Sequence, residues 1–301
     1  MMPCSNCSSK AAIVAEKAYC KNHFTAYFEN KVLATIKKFS LIGSSDKIIV
    51  GSSGGKDSTA LLYILSKYYK NVEALAIDEG IPGYRPITLE DLERFCSNNS
   101  IPLRIYSYKN EFGFSLSEVL KVRKDLSPCH ICGILRRYLL NTKAKGFTRI
   151  ATGHNMDDEA QSIMMNLSKA QLPLLSRLGP VTGNVTDTGF IPRIKPLYSC
   201  SEKEVATYAV IKNFGIRFMQ CPYSHSSFRA CIRDALNDYE AKHKGSKLNL
   251  INNFLKLLPR LKSKQLNLKL NHCSSCGEPC SKDVCKACTI VDSITAKPAA
   301  R

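Results

Sequence analysis

The chain has 301 residues, of which 44% are hydrophobic and 23% are charged, a composition typical of a globular protein with a sizeable core. No apolar run approaches the roughly 20 residues that span a bilayer. No apolar segment of a secretory signal follows the first residues, so we expect a cytoplasmic protein without membrane contact. Lysine and arginine number 43 against 25 acidic residues, and the net charge of +18 favours nucleic acid as a partner.

The predicted secondary structure alternates between strands and helices across residues 27–225. In chain order, the pattern predicts strands at Asp46–Ser52, Val72–Asp78, Leu103–Tyr108 and Arg149–Thr152, and helices at Lys56–Lys70, Thr88–Ser97, Pro128–Asn141 and Asp157–Leu167. This alternation predicts an α/β fold with a doubly wound parallel sheet. Such sheets bind ligands beyond the carboxyl ends of their strands, where the motifs described below fall.

Three further segments flank this region. Residues 1–26 and 266–301 are rich in cysteine, and the second of these segments includes the C-terminal tail. Residues 226–265 are basic and predicted to be helical, with one apolar stripe formed by Leu248, Ile251, Leu255 and Leu258. We expect this helix to pack on the sheet, to offer its basic face to RNA phosphates, and to end or bend at Pro259.

A glycine-rich loop follows the first predicted strand and begins a helix; it consists of Ser53, Gly54, Gly55, Lys56, Asp57 and Ser58. Glycine lets the backbone approach a phosphate, and the free N–H groups at the start of a helix attract an anion. A Walker A loop is excluded, since Val50 occupies its first glycine position and Asp57 follows the lysine. The pattern SGGKDS is instead similar to the signature of the PP-loop ATP pyrophosphatases, which cleave ATP to AMP and pyrophosphate.

A second motif, GHNMDD, lies between a predicted strand and a helix and contains Gly153, His154, Asp157 and Asp158. It resembles the GHNxDD element of tRNA-modifying PP-loop enzymes. Adjacent carboxylates at the start of a helix suit Mg²⁺ beside a pyrophosphate, although capping of the helix explains them equally well. Asp78 ends the second predicted strand, where this family contacts its nucleotide; a turn residue is the alternative.

Three internal cysteines form a further candidate site. Cys129 and Cys132 form a C-x-x-C pair at the start of a helix, and Cys221 lies far downstream. Thiols at a helix N-terminus have lowered pKa values, so these side chains are candidate ligands or nucleophiles. A thiol–disulfide pair, a zinc site and an iron–sulfur cluster all fit this spacing.

The order of these motifs resembles that of the TtuA/NcsA-type tRNA 2-thiouridine synthetases. The resemblance implies that Cys129, Cys132 and Cys221 hold a 4Fe-4S cluster whose fourth iron has no protein ligand and can bind sulfide. Some members carry a catalytic lysine at the position of Arg136. Because arginine keeps its proton in proteins, we expect Arg136 to hold phosphate or to stabilise charge on the activated uridine.

The cysteine-rich ends both have the ligand spacing of structural zinc sites. One site comprises Cys4, Cys7, Cys20 and His23, and the other comprises Cys273, Cys276, Cys285 and Cys288. Cys280 lies within the second segment and could compete as a ligand. With four protein ligands and no open position, we expect both zinc ions to serve folding and RNA contact. The resemblance places zinc fingers at these ends as well.

The resemblance implies tRNA 2-thiolation. ATP would activate the 2-oxygen of a tRNA uridine, with the wobble uridine as the expected target, and sulfur would replace it. The T-loop uridine is the alternative target, and a mixed disulfide through Cys129 or Cys132 is the alternative route. The residues predicted to act in catalysis are Asp57, Cys129, Cys132, Arg136, Asp157 and Cys221.

The resemblance leaves the sulfur donor and the assembly open. Either sulfide or a ubiquitin-like sulfur carrier could supply the sulfur, and relatives commonly form homodimers. Two functions of other classes compete with thiolation. An amidating PP-loop enzyme acting on a small molecule would explain the ATP motifs but not the cysteine-rich ends. A non-catalytic zinc protein that binds RNA would explain the ends and the charge but not the ATP motifs.

Overall fold

The computed structural model describes residues 2–123, 125, 127–182, 189–224, 228–264 and 271–295. The chain begins with a short hairpin of β1 (Ile13–Val14) and β2 (Ala18–Tyr19), followed by α1 (Lys21–Lys38). The predicted boundary after residue 26 therefore lies inside α1, which joins the N-terminal cysteine-rich segment to the following domain. The predicted C-terminal tail beyond residue 295 lies outside the described residues.

The central domain alternates between strands and helices, as predicted. Its elements are β3 (Ile48–Gly51), α2 (Lys56–Tyr68), β4 (Val72–Asp78), α3 (Arg85–Asn98), β5 (Leu103–Ser107), α4 (Tyr108–Phe112), α5 (Leu116–Val122), α6 (Pro128–Thr142), β6 (Arg149–Thr152), α7 (Met156–Ser168), α8 (Leu172–Leu175), β7 (Val181–Thr182), β8 (Arg193–Ile194) and α9 (Glu202–Lys212). The bounds of β4 and β6 are those predicted, because both strands are buried apolar runs that end at a turn.

The six strands form one sheet in the order β5–β4–β3–β6–β8–β7. Five of them are parallel, and the short edge strand β7 is antiparallel to β8. The strand order reverses between β3 and β6, since the chain proceeds outward in one direction from β3 and in the other from β6. Ligands of doubly wound sheets bind at the carboxyl ends of the strands at this switch point.

Alternate residues of the strands face two separate helical layers. Ile48 and Val50 pack with α1, α2 and α9, whereas Ile49 packs on the opposite face with α6. Each face of the sheet is thus covered by helices, which confirms the predicted doubly wound fold.

The basic segment consists of α10 (Phe228–Lys242) and α11 (Ser246–Ser263), and it packs on α7 rather than on the sheet. Ile251 and Leu258 are buried as predicted, but Leu248 is exposed and Phe254 takes a place in the apolar contact instead. The expectation for the stripe was therefore wrong at Leu248. Helix α11 also continues past Pro259 without ending there.

The C-terminal segment contains β9 (Asn271–His272), β10 (Pro279–Cys280) and α12 (Lys286–Thr295). Its cysteines Cys273 and Cys285 are buried in the same apolar cluster as Ile131 and Leu135 of α6. The helix that carries Cys129 and Cys132 is therefore covered by the C-terminal cysteine-rich segment. Within the described part of the chain, no helix combines the length and apolar character needed to cross a membrane.

Candidate active site at the sheet switch point

The predicted phosphate loop lies directly after β3, at the switch point. Gly54 has a φ of +78°, and a Cβ at this position would lie 2.1 Å from the carbonyl oxygen of Thr88. Gly55 precedes the first residue of α2. The loop is closed on itself by Ser58, whose Oγ accepts a hydrogen bond of 3.1 Å from the Ser53 N–H. A side chain at Gly54 is thus excluded, and the start of α2 is kept accessible for an anion.

A second loop follows β6, the neighbour of β3, and touches the phosphate loop. A Cβ on Gly153 would lie 2.8 Å from the Ser58 nitrogen, so only glycine allows this approach. The side-chain amide of Asn155 donates a hydrogen bond of 3.0 Å to Asp57. The two motifs that are distant in sequence therefore form one surface at the carboxyl ends of the strands.

Lys56 lies at the centre of this surface between two carboxylates. Its Nζ is 3.1 Å from Asp57 Oδ2 and 2.9 Å from Glu202 Oε1. Burial opposes the charge of Lys56, but the two carboxylates outweigh it and raise its pKa. Burial raises the pKa of Asp57 despite the nearby lysine and Asn155. A bound polyphosphate could exchange for these carboxylates as the partner of Lys56.

The two adjacent carboxylates of the second motif point to different partners. Asp157 is buried, and its oxygens accept hydrogen bonds from Lys247 Nζ at 2.6 Å and from the Glu202 N–H at 2.8 Å. Asp158 instead caps the start of α7, and its side chain is one third exposed, 3.6 Å from Arg229. Burial raises the pKa of Asp158 to about 6, against the effect of Arg229.

These partners change which carboxylates suit a metal ion. Both oxygens of Asp157 are already bonded to the fold, so this side chain has a structural role in the state described. Asp57 and Asp158 lie on either side of Asn155, which bonds to both. Sequence spacing suggested the Asp157–Asp158 pair, and the contacts of Asn155 with Asp57 and Asp158 add Asp57 to the candidate oxygen ligands for Mg²⁺.

Asp78 ends β4, and its carboxylate accepts a hydrogen bond of 2.8 Å from the Gly80 N–H. Asp78 therefore stabilises the turn that follows β4. The next residue, Glu79, was missed by the sequence analysis and is buried. The sequence feature that could have identified Glu79 is a charged residue directly after a strand of the parallel sheet and directly before a glycine.

Glu79 joins the phosphate loop to α6. Its carboxylate lies 3.1 Å from Arg85 Nε and 3.6 Å from Arg136 Nη1. Arg85 in turn donates a hydrogen bond of 2.6 Å to the carbonyl oxygen of Ser53. Arg136, predicted to act in catalysis, is thereby connected through two buried side chains to the loop predicted to hold ATP.

The three internal cysteines lie on the α6 side of this surface. Cys129 is exposed in the first turn of α6, and its Sγ is 3.5 Å from the carbonyl oxygen of Tyr223. Tyr223 is two residues from Cys221, so the distant cysteine returns to the start of α6. Cys132 and Cys221 are both partly buried in the apolar cluster around α6.

The expected lowering of the thiol pKa is not found at Cys132 and Cys221. Burial raises the pKa of both thiols, and the opposing effect of Arg136 on Cys132 is smaller. The start of a helix stabilises a thiolate only where water or cations replace the lost solvation, and here the surroundings are largely apolar. A bound metal ion would favour the thiolate forms of these side chains.

The three thiols are less closely grouped than the ligands at the two ends of the chain. Among the described residues, groups of at least three ligand atoms within 4.8 Å of one another occur at the two ends of the chain but not at this site. A single zinc ion draws its ligands together, whereas each cysteine of an iron–sulfur cluster binds a different iron. Three thiols from two segments thus match the donor set that the resemblance implies.

His154 lies between the phosphate loop and the arginines of α6. Its Nδ1 is 3.0 Å from Thr152 Oγ1. The side chain is exposed, and partial desolvation by the surrounding residues together with the charges of Lys195, Arg229, Arg136 and Arg137 lowers its pKa. The imidazole is therefore neutral at physiological pH and lies in strongly positive surroundings.

The cysteine-rich ends bring their predicted ligands together. Cys4, Cys7, Cys20 and His23 form one group within 4.8 Å, and Cys273, Cys276, Cys285 and Cys288 form the other. Cys280 is outside the second group and its Sγ lies 2.8 Å from the carbonyl oxygen of Lys282. Both groups have the ligand number and types of a closed structural zinc site.

A groove lies elsewhere, at the opposite edge of the sheet. This groove of about 760 Å³ is lined by residues that precede strands, among them Lys47, Asn71 and Pro102. Because parallel sheets bind ligands at their carboxyl ends, we assign the site to the surface at the switch point.

The whole of this surface falls within one known protein family. Residues 25–240 match the PP-loop domain family, and the match includes the phosphate loop, the GHN motif and all three internal cysteines. The chain therefore belongs to the PP-loop family. This agrees with a glycine-rich loop that is shaped for phosphate without the Walker A pattern.

Its homologues within that family are tRNA 2-sulfurtransferases. The chain is 36% identical to the tRNA-5-methyluridine(54) 2-sulfurtransferase of Pyrococcus horikoshii, across 95% of this chain and 93% of that protein. It is 34% identical to the cytoplasmic tRNA 2-thiolation protein 1 of Aspergillus niger, across 97% and 88%. Its fold is similar to that of the U34-tRNA thiolase NcsA from Methanococcus maripaludis with its 4Fe-4S cluster, with a TM-score of 0.79, 30% identity and coverage of 97% and 96%.

Proposed function

We propose that this protein uses ATP to adenylate the 2-oxygen of a tRNA uridine and then replaces that oxygen with sulfur. The observation that carries the proposal is the joining of two sites on one surface. Glu79 pairs with Arg85, which bonds to the phosphate loop, and with Arg136, which lies one turn after Cys132 on α6. Sulfur insertion requires this proximity, because the activated base must reach the sulfur donor.

ATP would bind at the loop after β3. The N–H groups at the start of α2 and the Lys56 ammonium would hold its phosphates. Asp57 and Asp158 would hold Mg²⁺, which neutralises charge on the phosphates and supports departure of pyrophosphate. The uridine 2-oxygen would attack the α-phosphorus, forming a new P–O bond as the bond to pyrophosphate breaks.

Sulfur would enter from the α6 side. Cys129, Cys132 and Cys221 would hold a 4Fe-4S cluster, which when bound supplies an iron without a protein ligand to carry sulfide. Attack by sulfur on C2 breaks the C–O bond and releases AMP. Arg136, fixed by Glu79, would stabilise negative charge that develops on the base, and it would not act as a base because it keeps its proton.

A mixed disulfide on Cys129 or Cys132 is the second route to the same product, and it would require a donor of persulfide sulfur, because sulfide cannot form a disulfide without a two-electron oxidant. The exposure of Cys129 would allow this route. Sulfide and a ubiquitin-like carrier are the two candidate donors. We place the reaction in the cytoplasm, in keeping with relatives that carry this location in their names.

We propose the wobble uridine as the target. Arg136 stands where some relatives carry a lysine, and the structural relative NcsA is a U34-tRNA thiolase. The T-loop uridine remains the second candidate, because the Pyrococcus horikoshii relative is named for position 54. Digestion of tRNA thiolated by the purified protein, followed by mass spectrometry of the fragments, assigns the position.

The remaining assignments concern stability and assembly. We propose that each terminal ligand group holds one zinc ion and that the protein acts as a homodimer. The zinc sites would fix α1 at one end and cover α6 at the other.

Pyrophosphate release tests the proposed function. We expect tRNA to stimulate release from ATP and 2-thiouridine to appear when a sulfide source is added. An amidating enzyme would release pyrophosphate with a small molecule instead of tRNA, and a non-catalytic RNA-binding protein would release none. Either outcome would refute tRNA thiolation.

A further inference from the structure

Three arginines lie on the α6 side of the site, and their charges are poorly balanced. Arg136 has one carboxylate, Glu79 at 3.6 Å, which also pairs with Arg85. Among the described residues, no carboxylate lies within 4.0 Å of Arg137 or Arg193. The surface beside the cysteines thus carries positive charge without a matching anion.

The Arg137 side chain folds back along α6 towards the cysteines. A Cβ on Gly133 would lie 3.1 Å from Arg137 Nη1 and 3.4 Å from Nη2. Gly133 directly follows Cys132, so the guanidinium of Arg137 lies beside the cysteine site. Within the described chain this guanidinium has no hydrogen-bond partner, which leaves its donors for a ligand.

Arg193 approaches α6 from the sheet. It lies on β8, and its Nη2 donates a hydrogen bond of 3.0 Å to the carbonyl oxygen of Arg137. Its Nε is buried without a hydrogen-bond partner among the described residues. A buried donor without a partner is costly, and an anion that accepts from it would remove this cost.

The electrostatics agree with an anion site. Burial lowers the pKa of Arg193 to about 10, with a further contribution from Arg137. The Arg137 side chain is exposed, and partial desolvation together with the charge of Arg136 lowers its pKa. Each cation is therefore destabilised by its surroundings and by its neighbour. A bound anion would offset both effects.

We propose that Arg137 and Arg193 together form a phosphate-binding subsite that holds one backbone phosphodiester of the tRNA beside the target uridine. Guanidinium groups offer paired N–H donors that match phosphate oxygens. The ATP phosphates already have the loop after β3 and Lys56. The subsite lies next to Cys132, where the target nucleotide must be placed for sulfur transfer. This inference rests on the proposed tRNA substrate.

Direct tRNA binding by Arg137→Gln, Arg193→Gln and the double variant tests the subsite. We expect each single variant to weaken tRNA binding by about tenfold to a hundredfold, with the KM for ATP unchanged. The slope of log Kd against log salt concentration should fall by about 0.7–0.9 for each variant. Because both arginines hold the same phosphate, the double variant should show the same fall in slope as the single variants.

Arg104→Gln is the matched control, because it removes one exposed arginine that pairs with Glu73 on another part of the surface. Unchanged tRNA binding in the subsite variants, or an equal loss in the control, would overturn the proposal. A change in the KM for ATP or in inhibition by pyrophosphate, with tRNA binding intact, would assign the phosphate to ATP and overturn it as well.

Two further measurements keep the result decisive. Arg193→Lys retains the charge but loses the paired donors. It should weaken tRNA binding while preserving the slope of log Kd against log salt concentration. It replaces the glutamine variant if that variant fails to fold. Wild-type protein that binds tRNA but forms no 2-thiouridine would refute the proposed function, whereas the binding series would still decide the subsite.

Discussion

At each end of the chain, four ligand atoms lie within 4.8 Å of one another, whereas Cys129, Cys132 and Cys221 do not form such a group. Each terminal group offers four protein ligands, so a metal ion bound there would have no open coordination position. The internal group has three partly exposed thiols and lies near Arg136 and Arg137 of α6. Metal sites with four protein ligands stabilise a fold, whereas a site with three cysteine ligands leaves one coordination position open for a reactant.

Removal of a terminal ligand should give the largest loss of stability. Cys285 is buried against α6, so Cys285→Ala should release the metal and uncover that helix. We expect a loss of about 5 kcal/mol and a fall in Tm of about 10 °C or more, measured by thermal unfolding. Cys280→Ala, adjacent to the site but outside the ligand group, should change Tm little. An unchanged Tm in Cys285→Ala would remove the folding role of the terminal site.

The same contrast separates the adjacent carboxylates of α7. Asp157→Asn would leave the buried Lys247 without its counter-charge, whereas Asp158→Asn alters a partly exposed side chain. We expect the first variant to lose about 3 kcal/mol of unfolding free energy and the second less than about 1 kcal/mol. Urea unfolding measures both. The reverse order would restore Asp157 as a metal ligand rather than a structural residue.

The contact between the C-terminal site and α6 should give the smallest effect. Glu278 is buried and accepts a hydrogen bond of 2.8 Å from Asn141, while its ion pair with Lys145 is exposed to solvent. Glu278→Gln keeps an acceptor for Asn141 and should cost less than about 1 kcal/mol, whereas Glu278→Ala should cost about 2 kcal/mol. Equal losses of unfolding free energy in the two variants would show that the charge of Glu278, rather than its hydrogen bond, joins the C-terminal segment to α6.

Local patterns predicted most of the fold and the two terminal groups of cysteine and histidine side chains. Val72–Asp78 and the loop at Gly54 carry their own signals, namely a buried apolar run and a glycine beside a helix start. The partners made by folding were not predictable. Nothing near Asp157 in sequence indicates Lys247, and Arg193 lies on a two-residue strand whose position depends on the sheet around it.

Anaerobic purification with iron and sulfide analysis tests whether the three internal cysteines hold an iron–sulfur cluster. We expect a coloured protein with iron and inorganic sulfide in equal amounts. Both should be lost in Cys221→Ala and retained in Cys231→Ala, which alters an exposed cysteine on α10. Zinc content should be the same in all three proteins. Wild-type protein without iron, or Cys221→Ala with its full iron content, would show that these cysteines do not hold the cluster.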